Sequence, residues 1–203
     1  MKGSRLESTA EPDLPDLSGA ILAQGNSLRM GRDKATLRWR GQTFAARIEK
    51  TLRTVVHRVL IAGYRPDLAS PATPCYPDRY PGSALGGLHT ALGNAPTPWV
   101  FVVACDMPLL DPGLIRHLAG LCSGARAVIP QGDRGPDPLC GLYHRDCLPM
   151  IERQLEAGRY CLQDLLPLLA VCFSDSGRWP AGWRRGLCNI NTPEDLSRLK
   201  KDT

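Results

Sequence analysis

Residues 99–104, WVFVVA, are apolar without a break. A strand with one face in water alternates apolar and polar residues, so an unbroken run has to be covered on both faces. That is the position of a central strand in a largely parallel sheet with helices above and below. Strand-like and helix-like segments alternate around it, the pattern of an α/β domain. Residues 17–23 read as the first strand. Residues 43–54 put Phe44, Ile48 and Leu52 on one stripe of an amphipathic helix. VVHRVLIAG (55–63) reads as a strand and ALGGLHTALGN (84–94) as a short helix. In DPGLIRHLAGLC, Asp111 suits the cap of a helix and Pro112 its first position, with Leu114, Ile115 and Leu118 facing inward. ARAVIP and PLCGLYH read as strands on either side of the polar QGDRGPD. Residues 145–157 and 161–169 look helical, AVCFSD reads as a strand and GRWPAGWRRG as a loop. NTPEDLSRLKK opens with Thr192, Pro193 and an acid in the arrangement of a capping box. No repeat or linker divides the chain. The expectation is a single three-layer domain over 17–203, after a polar, Pro-rich stretch, 1–16, read as a flexible leader.

A length of 203 residues suits one well-filled core. Contents of 43% hydrophobic and 22% charged residues are those of a globular protein. No apolar run approaches the roughly 18 residues that cross a bilayer, and the N-terminus lacks a secretory pattern; no membrane is expected. The net charge of +5 comes from arginines scattered among acids. Without a dense basic stripe a nucleic-acid partner is not expected, and a small anionic ligand accounts for the bias. None of the 8 cysteines forms a C-x-x-C pair, and Cys105, Cys161 and Cys172 stand in apolar stretches. Buried thiols in a reducing, cytoplasmic setting is the better reading. CGLYHRDC brings Cys140, His144 and Cys147 close, but no fourth ligand with recognisable spacing accompanies them.

Ligands of parallel α/β sheets bind outside the carboxyl ends of the strands. Two features fall there. The first is the loop in GAILAQGNSLRMGRDK (19–34), where Gly25, Arg29, Gly31 and Lys34 follow the first strand. Its spacing fits neither a P-loop nor a G-x-G-x-x-G fingerprint. The physics is still that of a polyphosphate site, because small residues let backbone N–H groups approach and the cations neutralise charge. The second is CDMP (105–108), directly after the apolar run. Asp106 there is costly unless paired, and a carboxylate near a polyphosphate loop suits Mg²⁺.

These residues resemble those of the molybdenum cofactor guanylyltransferases, which build molybdopterin guanine dinucleotide. Their first motif stands here as LAQGNSLRMGRDK (22–34), and YPGSALGGL (80–88), CDMPLL (105–110), PLCGLY (138–143) and NINTPEDL (189–196) also match. The resemblance runs from residue 18 to the C-terminus. It implies a Rossmann-like nucleotidyltransferase fold and assigns Leu22, Ala23 and Gly25 to the nucleotide-binding loop, with Gln24 between them. Lys34 would contact the nucleotide phosphates with Arg29 beside it, Asp106 would hold Mg²⁺, Asp78 would lie in the nucleotide pocket, and Asn189 and Asn191 near the acceptor. Two departures stand out: Gln24 replaces a glycine, and Ala62 falls where a nucleotide-contacting asparagine is expected. Gln24 at an ordinary negative φ would turn its amide to the ribose or base and supply the contact missing at Ala62.

The reaction so implied is attack by the terminal phosphate of molybdopterin on the α-phosphorus of GTP, with pyrophosphate leaving. A phosphate monoester has a second pKa of about 6, so no general base is needed, and the 4 histidines read as structural. Catalysis then reduces to positioning and charge neutralisation by Lys34, Arg29 and a Mg²⁺ on Asp106. An acceptor-only carboxylate such as Asp78, facing the base, would favour guanine, which offers two adjacent donors. The rival readings are a cytidylyltransferase acting on the same cofactor, a non-catalytic homologue that binds the cofactor or delivers it to a molybdoenzyme or its chaperone, and a sugar-phosphate nucleotidyltransferase.

Overall fold

The computed structural model describes residues 14–23, 33–132 and 134–201. Strand β1 (Leu17–Leu22) is buried along its whole length. A 3₁₀ turn, Lys34–Thr36, leads into a small hairpin of β2 (Arg38–Trp39) and β3 (Gln42–Thr43). Helix α1 (Phe44–Arg53) starts where the Thr43 hydroxyl accepts the Ala46 N–H, and it buries Phe44, Ile48 and Leu52 as their spacing predicts. β4 (Arg58–Ala62) and the short β5 (Cys75–Tyr76) follow, then α2 (Ala84–Asn94), capped by Ser83. β6 (Trp99–Ala104) is the apolar run, and α3 (Pro112–Ala119) has Asp111 at its cap and Pro112 in its first turn. β7 (Ala127–Gly132), β8 (Gly135–Pro136) and β9 (Cys140–His144) precede α4 (Leu148–Glu156). The chain ends in β10 (Val171–Asp175), α5 (Ala181–Gly186) and α6 (Pro193–Lys201).

The main sheet runs β10-β7-β9-β6-β1-β4-β5, with β8 on β7. β1 lies parallel to β4 and β6, β4 to β5, and β10 to β7. β9 is inserted antiparallel between β6 and β7. Successive residues of the central strands feed opposite faces. Ile21, Ile61, Phe101 and Val103 pack on α1 and α3 through Ile48, Leu52, Leu114 and Leu118. Ala20, Leu60, Val100 and Val102 pack on α2 and α4 through Leu85, Leu88, Ile151 and Leu155. The fold is therefore a helix–sheet–helix sandwich, mostly parallel, and the central strands are apolar on both faces because both faces are covered. Among the described residues no helix is long and apolar enough to cross a membrane.

Several local expectations change. The segment expected to be a loop at 177–186 contains α5, because Trp183 packs against Gly113 of α3 and beside Trp179 and His117, a tertiary gain that outweighs weak helix propensity. The polar QGDRGPD folds back as β8 on β7. Residues 145–147 form a 3₁₀ turn before α4, and 163–168 are 3₁₀ rather than α-helical, with Pro167 inside. β4 begins at Arg58; Val55 and Val56, expected in the strand, instead follow α1 and donate their N–H groups to Leu52 O. Of the expected leader, 1–13 lie outside the described residues, while the Leu14 N–H donates to Val55 O at 3.1 Å and its side chain packs on the core.

Candidate active site

The carboxyl ends of β1, β4, β5 and β6 share one rim, and Ala23, Arg65, Asp78 and Asp106 follow these ends within three residues. Asp106 comes after β6, where the Cys105 N–H donates to Leu22 O at 3.2 Å and ties this turn to the end of β1. Lys34 is presented by the 3₁₀ turn, whose first free N–H, that of Ala35, donates to Asp33 Oδ1 at 3.0 Å. From there the Lys34 ammonium reaches Asp106 Oδ2 at 2.8 Å and also donates to Asn191 Oδ1. Both members of the ion pair are largely shielded, with side chains 19% and 15% exposed.

Asn191 arrives from the far end of the chain. The Ile190 N–H donates to Asp106 O at 2.9 Å and docks the 189–191 segment on the rim. The segment is held from its other side by the capping box of α6. Asp195 Oδ2 accepts the N–H groups of Asn191 and Thr192, and Thr192 Oγ1 accepts the N–H of Asp195 at 3.1 Å. Those bonds, the one from Asn191 first, hold the Asp195 carboxyl below the usual range.

Lys34, Asp106 and Asn191, expected from separate motifs, thus meet. The second Asp106 oxygen, Oδ1, is buried with no partner among the described residues. A carboxylate whose one oxygen is bound to an ammonium and whose other is unpaired is a hard oxygen donor available to a divalent cation. Asn189 stands apart from that trio. Its Oδ1 is also buried and has no partner among the described residues, and the residue lines a cleft of about 760 Å³ with Arg134, Asp137, Gln163 and Arg184. Burial raises the Asp137 carboxyl, and the Asp106 charge adds to the rise.

Asp78 follows β5 at the sheet edge. Burial raises its carboxyl above the usual range, against a hydrogen bond from Thr90 and the charge of His89. Its Oδ1 is buried without a partner among the described residues. The loop that carries it lies against α2 only because residue 86 is glycine. A Cβ there would stand 1.8 Å from the Tyr80 carbonyl oxygen. Leu22 and Ala23 are held at the end of β1: the Leu22 side chain is buried in the core, and the Ala23 N–H donates to Ala62 O at 3.0 Å. Gln24, Gly25 and Arg29 lie outside the described residues.

The cysteines take no part. All eight are free, and burial pushes the Cys105 thiol beside Asp106 up to about 12, which leaves it an un-ionised core group. Cys140 is wholly buried and Cys147 points its thiol at Arg126 O, so CGLYHRDC forms no ligand set; no group of three or more metal-capable side chains occurs among the described residues. Two residues at the rim were given no role by sequence reasoning, Asp33 and Arg65. Asp33 stands inside the RMGRDK match next to Lys34, which was the signal that could have found it, whereas nothing distinguishes Arg65 in the sequence from an ordinary surface charge.

A parallel-stranded sandwich whose loop ends bring an ammonium, a carboxylate and an amide together is the arrangement of an α/β nucleotidyltransferase. The comparisons agree. Residues 19–171 match the family described as the MobA-like NTP transferase domain. The molybdenum cofactor guanylyltransferase of Pseudomonas putida is 35% identical over 196 residues, covering 91% of this chain and 98% of that one. A probable molybdenum cofactor guanylyltransferase of Carboxydothermus hydrogenoformans is 31% identical over 93% of this chain and 97% of its own. In structure, the molybdopterin-guanine dinucleotide biosynthesis protein A of Archaeoglobus fulgidus superposes with a TM-score of 0.79 at 24% identity, over 91% of this chain and 97% of that one. A nucleotidyl transferase of Methanothermobacter gives a TM-score of 0.72 at 19% identity, over 92% and 96%. The chain belongs to the MobA-like NTP transferase family, and its role is that of a nucleotidyltransferase.

Proposed function

We propose that this protein transfers GMP from GTP to the terminal phosphate of molybdopterin, in the cytoplasm, with Mg²⁺. The observation that carries the reading is the meeting of Lys34, Asp106 and Asn191 on the rim, in a chain whose relatives bear the guanylyltransferase name. A phosphate oxygen of the acceptor forms a bond to the α-phosphorus of GTP while the bond from that phosphorus to the bridging oxygen breaks, and pyrophosphate departs with the electron pair. The acceptor phosphate has a second pKa of about 6 and is already largely dianionic at neutral pH, so no side chain has to take a proton.

What the chain supplies is position and charge. Lys34 neutralises the nucleotide phosphates, and Arg29 adds to it. Asp106 would hold the Mg²⁺ through its unpaired Oδ1; when bound, the ion withdraws charge from the phosphates. Asn191 aligns the acceptor phosphate, and Asn189 sits in the adjoining cleft, where Arg134 and Arg184 favour an anionic acceptor. Asp78, with an unpaired acceptor oxygen, faces the donors of the guanine edge.

Pyrophosphate release in a mixture of molybdopterin, GTP and Mg²⁺ tests the proposal. Release that requires all three supports it. Release with CTP in preference to GTP would make the protein a cytidylyltransferase, and binding without release would make it a carrier that hands the cofactor to a molybdoenzyme or its chaperone.

A further inference from the structure

No step of the transfer uses Arg65, yet its side chain is only 16% exposed and is the most heavily bonded among the described residues of the rim. Its Nη1 donates to Asp33 Oδ1 at 3.2 Å and its Nη2 lies 2.6 Å from Asp33 Oδ2. Its Nε donates to Asp67 Oδ1 at 2.8 Å and its Nη2 to Asp67 Oδ2 at 2.6 Å. Two carboxylates grip one planar guanidinium from two sides, each as a fork, a match that lysine cannot reproduce. The bonds raise the Arg65 pKa further above its ordinary value and lower that of Asp67. A guanidinium so neutralised has little charge to offer a phosphate. It is built as a strut.

What the strut holds is the chain on both sides of residues 24–32. Before them, the Ala23 N–H is bonded to Ala62 O, at the end of β4. After them, Asp33 is clamped by Arg65, three residues beyond Ala62, while the same Asp33 carboxylate caps the turn that carries Lys34. One short segment, Ala62 to Arg65, therefore anchors the way in and the way out.

We propose that Arg65 is a positioning residue that acts through Asp33, fixing the Lys34 turn against the rim and so setting both nucleotide affinity and transfer rate. The inference rests on the reading of Lys34 as the phosphate contact. It differs from direct recognition of the nucleotide by Arg65, and the two separate in a double-mutant cycle. Asp33→Asn is a clean probe because asparagine still caps the turn but no longer pairs as an ion.

The experiment measures binding of a fluorescent GTP analogue with Mg²⁺, and kcat and KM of pyrophosphate release, for the wild type, Arg65→Ala, Asp33→Asn, the double variant and Arg65→Lys. Each single loss is expected to weaken binding about tenfold and to lower kcat as well, the size of a coupled contact pair. The double variant is expected to be no worse than Arg65→Ala, and Arg65→Lys to restore part of the loss. Should Arg65→Ala fail to fold by circular dichroism, the cycle of Arg65→Lys with Asp33→Asn reads the same coupling. Losses that add in the double variant, or an Arg65→Ala protein with wild-type binding and rate, would overturn the proposal. A wild type that binds no GTP overturns the nucleotide reading and this one together; wild-type binding with additive losses overturns this one alone.

Discussion

Asp78 and Asp106 each keep a buried carboxylate oxygen without a partner among the described residues, and such an atom costs stability unless a ligand uses it. For Asp78 the sign of that cost is open to measurement. Burial raises its folded-state pKa, so the native chain holds the proton more tightly than the unfolded one, and stability falls as pH climbs through the carboxylate range. Asp78→Asn is therefore expected to melt at a higher temperature than wild type at pH 7, with the gap closing as the solution is acidified to pH 4 (thermal melts across that range check it). The same variant should bind GTP more weakly, because an amide offers the guanine edge a donor where an acceptor is wanted. Asp106→Asn is predicted to fold normally and lose about 10²-fold or more in turnover, since the anionic ligand of the metal is gone. Pyrophosphate release at saturating Mg²⁺ decides it; near-wild-type rates would remove Asp106 from the metal.

At the scale of elements, the site depends on two joints that hold loops to helices. One is Gly86, where α2 meets the Tyr80 carbonyl. Gly86→Ala forces the loop carrying Asp78 to move and is expected to cost about 1–3 kcal/mol of stability, read by denaturant titration, together with weaker GTP binding. The other is the capping box of α6, where Thr192→Ala should cost about 1 kcal/mol and lower kcat more than it raises the KM for GTP, because the freed segment carries Asn191 on the acceptor side. That box was legible in the sequence, as were α1, the cap of α3 and the all-apolar β6, because each follows from local spacing alone. The direction of β9 was not: CGLYH is equally apolar read either way, and only its neighbours set its sense. α5 was missed because its stability comes from Trp183 against Gly113, a contact between distant segments, and the two-residue strands are too short to show a period. Among site residues, Lys34, Asp106 and Asn191 stood out by motif, and Asp33 stood in the same motif without a role, whereas Arg65 acquires meaning only when β4 is laid beside β1.

Taken whole, the molecule puts its chemistry where its two cores meet. The helix layers on the two faces share one sheet, and the rim at its carboxyl ends is closed by the chain's last segment docking on Asp106. A ligand that bridges the Lys34 turn, the Asp106 turn and the 189–191 segment therefore stabilises parts far apart in sequence, and its binding free energy appears as global stability. At a free concentration of 100 times Kd that amounts to about 2.7 kcal/mol. For a chain of this size each kcal/mol moves the midpoint by roughly 2–4 °C, so GTP with Mg²⁺ is expected to raise Tm by about 5–10 °C in a single cooperative transition. CTP at the same concentration should raise it less if Asp78 reads the base as proposed, and in Asp78→Asn the two nucleotides should become alike. Differential scanning calorimetry with each nucleotide, with and without Mg²⁺, makes the comparison without needing the acceptor. A larger shift with CTP than with GTP would overturn the assignment of base, while leaving the rim itself as the nucleotide site.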